Sequence, residues 1–152
     1  MSVLMTAMIL VQAAGPAPMT RTPEPVCVRA GDLPRAFAGW NATPGKTLVM
    51  GTPTVLAASS SVAWAVPPKK PGKGAVATFR VTRAGRYQIG LSDGAWIDVV
   101  RSGKALPSSK HGHGPLCTGL RKIVGFVLTS GTYTLQLAAM PAAETRVMIV
   151  PG

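Results

Sequence analysis

At 152 residues the chain is long enough for one hydrophobic core and too short for two. Its 17 Gly and 14 Pro argue against long helices and for many short strands joined by turns. The 16 Lys and Arg against 5 Asp and Glu give a formal net charge of +11, which would attract phosphate, anionic lipid headgroups or acidic polysaccharide. Nucleic acid is not an expected partner, because no zinc-finger spacing, aromatic strand motif or recognition helix is present.

Met1 to Ala13 is an apolar run ending in Val11-Gln12-Ala13, with small residues where a signal peptidase would cut. It predicts a signal peptide over 1–13 and a periplasmic or secreted protein, although no Lys or Arg precedes the run. The run is well short of the ~20 residues needed to span a bilayer, so no transmembrane segment is expected in the mature protein. The Pro-rich stretch 14–26 reads as a flexible leader, and 27–152 as the folded domain.

Asp32-Leu33-Pro34 resembles a helix start with Asp as the cap, and Leu33, Phe37 and Trp40 would share one face of a short helical segment. Thr47 to Leu56 suggests a strand interrupted near Gly51 and Pro53, and Ser60 to Val66 alternates as a further strand. Pro67 to Lys73, which holds Lys69 and Lys70, reads as a stiff basic loop.

Two stretches then say nearly the same thing. Phe79, Val81, Gly85, Tyr87, Ile89 and Leu91 recur as Phe126, Leu128, Gly131, Tyr133, Leu135 and Leu137. Each copy predicts strand, turn, strand with one buried face, a glycine at positive φ in the turn, and a Tyr whose ring is buried while its hydroxyl reaches nearby backbone. The expected fold is a single antiparallel β-sandwich, jelly-roll-like, of about seven to nine strands, with the repeats as central hairpins packed through Phe79, Tyr87, Ile89, Phe126, Tyr133 and Leu135. Between the repeats, Ala95 to Val100 is a strand with Trp96, Asp98 and Val100 on one face, which sets a carboxylate among apolar neighbours. Glu144 to Val150 is expected as a last strand at a sheet edge.

Both histidines lie in His111-Gly112-His113-Gly114-Pro115-Leu116-Cys117. Imidazoles at i and i+2 of an extended chain project the same way, so His111 and His113 could bind one Cu, Zn or Ni ion, with Asp98 or Asp93 as a further ligand. A structural or substrate-contacting loop is the competing reading. Cys27 and Cys117 are the only cysteines, and in an oxidising compartment they are expected to pair, closing a loop worth ~4–5 kcal/mol on the chain-entropy account. The alternative, Cys117 as a metal ligand, requires a reduced thiol. Trp96, Arg121 and Lys122 are candidate contacts for an anion or other ligand.

The runs Gly94-Ala95-Trp96-Ile97-Asp98-Val99-Val100, His111-Gly112-His113-Gly114-Pro115 and Cys117-Thr118-Gly119-Leu120-Arg121-Lys122-Ile123-Val124 resemble a family of small exported bacterial proteins catalogued as homogentisate 1,2-dioxygenase. The resemblance implies ring-opening by non-haem Fe held by two His and one carboxylate, for which this chain offers His111, His113 and an Asp. The Gly-x-Tyr repeats separately resemble non-catalytic sandwich domains of secreted proteases and glycosidases, which implies a binding or accessory role by analogy of fold. Other chemistry is poorly supplied: there is no Gly-x-Ser-x-Gly elbow, no phosphate-cradling glycine loop and no evident carboxylate pair. Ser108 or Ser109 beside His111 could imitate a nucleophile and base, but no third orienting group is evident. The leading expectation is an exported binding module for a small ligand, an anionic glycan or a metal ion, and the alternative is a metal-dependent dioxygenase.

Overall fold

The alternation in the two repeats becomes four strands of a nine-stranded sandwich, seen in a computed structural model that describes residues 32–152. The expected signal peptide, the leader and Cys27 lie outside the described residues. The strands are β1 (Thr54–Ala57), β2 (Ala75–Val81), β3 (Gly85–Leu91), β4 (Trp96–Arg101), β5 (Lys104–Ala105), β6 (Lys110–His113), β7 (Lys122–Leu128), β8 (Gly131–Ala138) and β9 (Glu144–Pro151). One sheet runs β1-β9-β3-β7-β6 and the other β2-β8-β4-β5, with every strand pair antiparallel. Among the described residues no helix is long and apolar enough to cross a membrane.

The repeats are not hairpins. Strands β2 and β3 of the first copy sit in different sheets, as do β7 and β8 of the second, and pairing runs between the copies: β2 with β8 and β3 with β7. Each turn therefore carries the chain from one sheet to the other. Both copies send the same alternate residues inward, and a hairpin and a crossover bury one face of each strand equally well, so periodicity could not separate them. The interior contains Phe79, Tyr87, Ile89, Phe126, Tyr133 and Leu135, as expected, joined by Val81, Leu91, Val99 and Val147. At ~1.5–3 kcal/mol for each large apolar side chain withdrawn from water, this layer dominates the favourable side of folding.

The two corners differ from expectation in one respect. Gly131 has φ 147°, but Gly85 does not lie at positive φ. The tyrosines do what the motif implies, since the Tyr87 hydroxyl donates to the Arg83 carbonyl and the Tyr133 hydroxyl to the Thr129 carbonyl, each four residues back.

The N-terminal segment forms a short 3-10 turn, Arg35–Phe37, with Pro34 at its cap position and no side-chain cap. Asp32 therefore does not cap it. The expected apolar face is present: Phe37 and Trp40 are fully buried on the outer side of the five-stranded sheet against Leu120, Met148 and Val150, with Leu33 at the margin. Gly90 makes that close approach possible, because a Cβ there would stand 2.6 Å from the Phe37 ring.

Three expected strands change. Of the segment 47–56 only the end is a strand, within β1 at Thr54–Ala57. Strand β9 is interior, flanked by β1 and β3, because β1 supplies the edge beyond it. The segment Ser60–Val66 is no strand at all, although its exposure alternates as a strand's would. Its backbone finds a side chain in place of a neighbouring strand: Ala65 N and Val66 N donate to Gln136 Oε1 at 2.6 and 3.0 Å, and Gln136 Nε2 donates to Val66 O at 3.2 Å. Residues 60–73 thus form a strap across the outer face of the four-stranded sheet, closed at its base by reciprocal backbone hydrogen bonds between Ser59 and Gly74.

Candidate functional site

Strand β4 is paired to β8 so that Asp98 stands opposite Gln136 and Trp96 opposite Ala138. Ile97 and Val99 point into the core, and the alternation turns Trp96, Asp98 and Gln136 to the outer face beneath the strap. The indole is fixed there, its Nε1–H donating to Asp98 Oδ1 at 3.1 Å. Three ammonium groups gather around the ring. Lys69 and Lys70 reach it from the strap, 5.8 and 5.2 Å from the ring centroid, and Lys122 reaches it from the start of β7 at 5.9 Å. Those distances lie within the range of cation–π attraction, which offsets part of the mutual repulsion of three like charges.

Lys122 is held more tightly than the strap lysines. Its Nζ donates to the Ala95 carbonyl at 2.8 Å. Burial lowers its pKa below the usual lysine value, the charge of Lys70 lowers it further, and the Asp93 carboxylate acts in the opposite sense. Asp93 is itself built into the turn before β4, accepting from Ala95 N at 2.9 Å and from the Thr145 hydroxyl. Next to Trp96 lies a cavity of about 300 Å³ whose lining includes Lys69, Asp98, Ser108, His111 and Lys122. Asp98 is 6% exposed, and its second carboxylate oxygen, Oδ2, is buried with no hydrogen-bond partner among the described residues.

Of the residues expected to contact a ligand, Trp96 and Lys122 come together. Arg121 does not join them: its backbone pairs with Leu91 and Gly114, and it lines a separate hollow with His113 and Leu116. His111 and His113 lie on β6 opposite Val124 and Lys122, and so share a face as expected. Asp98 is in the other sheet. Among the described residues no group of three His, Cys, Asp or Glu side chains is placed to hold a metal ion, so His111, His113 and Asp98 do not form a ready ligand set for Cu, Zn or Fe. His111 Nε2 instead lies 2.7 Å from Ser108 Oγ, an exposed contact between β6 and the segment just before it.

Lys69, Lys70 and Gln136 are the members of the site that sequence reasoning missed. The two lysines sit in what reads as a stiff basic loop, and the alternation of the second repeat puts Gln136 on the wet face of its strand. A polar residue between Leu135 and Leu137 has the same pattern whether water or a strap covers it, yet Gln136 is 0% exposed. Comparison with known protein families, curated proteins and solved structures found no match to this chain.

Proposed function

We propose that the protein is an exported binding module that holds an anionic ligand against Trp96. The observation that carries this reading is the convergence of Lys69, Lys70 and Lys122 on one fixed, half-buried indole beside a cavity. A partly buried lysine close to another lysine gains most when an anion arrives, because the ligand relieves both the desolvation and the repulsion. The test is calorimetric titration with dextran sulfate. The triple variant Lys69→Ala/Lys70→Ala/Lys122→Ala should lose about tenfold or more in affinity and show a shallower salt dependence. Arg80→Ala/Arg83→Ala/Arg86→Ala, which removes the same charge elsewhere, should bind nearly as the wild type does. Equal losses in the two triples would mean that attraction is diffuse and that this site is not the binding site.

Export and the Cys27–Cys117 disulfide belong to the same reading. Cys117 lies at φ 66° in the turn after β6, so a bond to the N-terminal segment would tether the loop that follows the histidines. Thiol titration of the unreduced, denatured protein should find close to none, and two reactive thiols would refute the bond. The iron dioxygenase that the resemblance implies needs two His and a carboxylate on one metal, an arrangement the described residues do not assemble.

A further inference from the structure

We propose that the ligand is an acidic sugar, a uronate residue of a polysaccharide, gripped at three points. Its carboxylate lies among Lys69, Lys70 and Lys122, a C–H face of its ring lies on the Trp96 indole, and a ring hydroxyl donates to Asp98 Oδ2. This rests on the reading of the site as an anion site and adds the chemical class of what it binds.

The decisive atom is Asp98 Oδ2. One oxygen of this carboxylate is used to orient Trp96, and the other is buried with no donor among the described residues. An acceptor left unmatched in the interior is costly, and a site that leaves one beside a cavity is matched by a ligand that brings the donor. Inorganic sulfate would satisfy the lysines, but it brings no hydroxyl donor to Asp98 and no C–H face to the indole. A neutral sugar would satisfy Asp98 and the indole and leave three ammonium groups without a counter-ion. A uronate carries a carboxylate, several hydroxyl donors and an apolar C–H face within one ring. The cavity is at the lower end of the ~300–1,000 Å³ usual for small-ligand sites, which suits one ring, with the polymer continuing over the basic surface.

Single-stranded nucleic acid also combines anions, donors and stacking surfaces, but such binding uses successive aromatic platforms along a basic groove. Here Trp96 stands alone beside the lysines. Phe37, Trp40, Phe79, Tyr87, Phe126 and Tyr133 are all buried, and Trp64, within the strap, is turned onto Gly74. The strap gives the site its form: Gln136 clamps residues 65 and 66, which places Lys69 and Lys70 over the ring.

The test uses the full chain and calorimetry with four probes: trigalacturonate, the same trisaccharide with its carboxyl groups reduced to alcohols, dextran sulfate and oligothymidylate. Trigalacturonate should bind about tenfold or more tightly than the reduced sugar and should also be preferred to oligothymidylate. Asp98→Asn should weaken trigalacturonate about tenfold without weakening dextran sulfate, whose hold is on the lysines. If Asp98→Asn fails to fold, Trp96→Leu gives the second measure, since it should weaken trigalacturonate and its reduced form alike while dextran sulfate, held by the lysines, is spared. Trigalacturonate bound equally by wild type and by Asp98→Asn, or no tighter than its reduced form, would overturn the uronate while the anion site stands. Preference for oligothymidylate would overturn it in favour of nucleic acid. Lysine-independent binding of every probe would overturn the site and the uronate together.

Discussion

The two copies of the repeat form one interlocked unit, yet they end in different surroundings. Phe79 of the first copy lies opposite Tyr133 of the second, and Phe126 of the second opposite Tyr87 of the first, so each phenylalanine meets the other copy's tyrosine. Phe79 and Tyr133 stack at 5.6 Å. The corners diverge. The second is buttressed by Arg101, whose Nη1 donates to Thr129 Oγ1 at 2.6 Å and to the Tyr133 hydroxyl at 3.0 Å while its guanidinium lies 5.1 Å from the ring centroid. Among the described residues the first corner has only the Tyr87 hydroxyl as a side-chain hydrogen bond, and it borders a hollow of about 650 Å³ lined in part by Arg80, Arg83 and Arg86. One alternating pattern thus builds both halves of the core, and residues outside the pattern decide what each half supports.

The largest effects test the equivalence of the halves. Phe79→Ala and Phe126→Ala each remove a buried ring from matching positions, and each should cost ~3–5 kcal/mol in urea unfolding. If one proves nearly neutral, the halves are not equivalent in energy and the symmetry is confined to the backbone. Substitution at the corner glycines should separate the copies. Gly131→Ala places a Cβ at φ 147° and 2.8 Å from the Arg101 guanidinium, so it should cost ~1–3 kcal/mol. Gly85→Ala meets nothing within 4 Å and should stay within ~0.5 kcal/mol of wild type. Equal costs would mean that the Arg101 buttress is irrelevant. The tyrosine hydroxyls sharpen the same contrast: Tyr133→Phe strands the bonds from Arg101 and Thr129 and should cost ~1–2 kcal/mol more than Tyr87→Phe.

The interior was legible because burial on one face imposes a period of two, and Phe79, Tyr87, Ile89, Phe126, Tyr133 and Leu135 all obey it. Partner strands were not legible, since a period of two is silent about which strand lies alongside. Half of the candidate site could be read: Trp96 and Lys122 stand out as an aromatic and a basic residue at strand starts. The rest depends on a strap that crosses a sheet without joining it, held by Gln136 from 70 and 71 residues away. No local pattern encodes a contact at that separation.

Lys122 is where the copies part in surroundings. It stands four residues before Phe126, the position Ala75 holds before Phe79, and Ala75 is packed in the core while Lys122 turns to Trp96. The cost of that replacement is a charged group partly withdrawn from water and close to Lys70, so its folded-state pKa lies below the ordinary 10.5. Below the lowered value both the folded and unfolded chains carry the charge, and the penalty is present in full. Between the lowered value and 10.5 the unfolded chain binds more protons than the folded one, so stability contributed by this residue rises with pH across that window. Because the side chain is only part-buried, the rise should be less than about 1 kcal/mol. The check is urea unfolding across the alkaline range for wild type and for Lys122→Met, which keeps the apolar stem and removes the charge. Wild type should gain on the variant as pH rises, and saturating trigalacturonate should flatten the difference by restoring the favourable surroundings of the ammonium. Parallel profiles without ligand would show that Lys122 carries no desolvation penalty, and that in this respect the second copy differs from the first in shape alone.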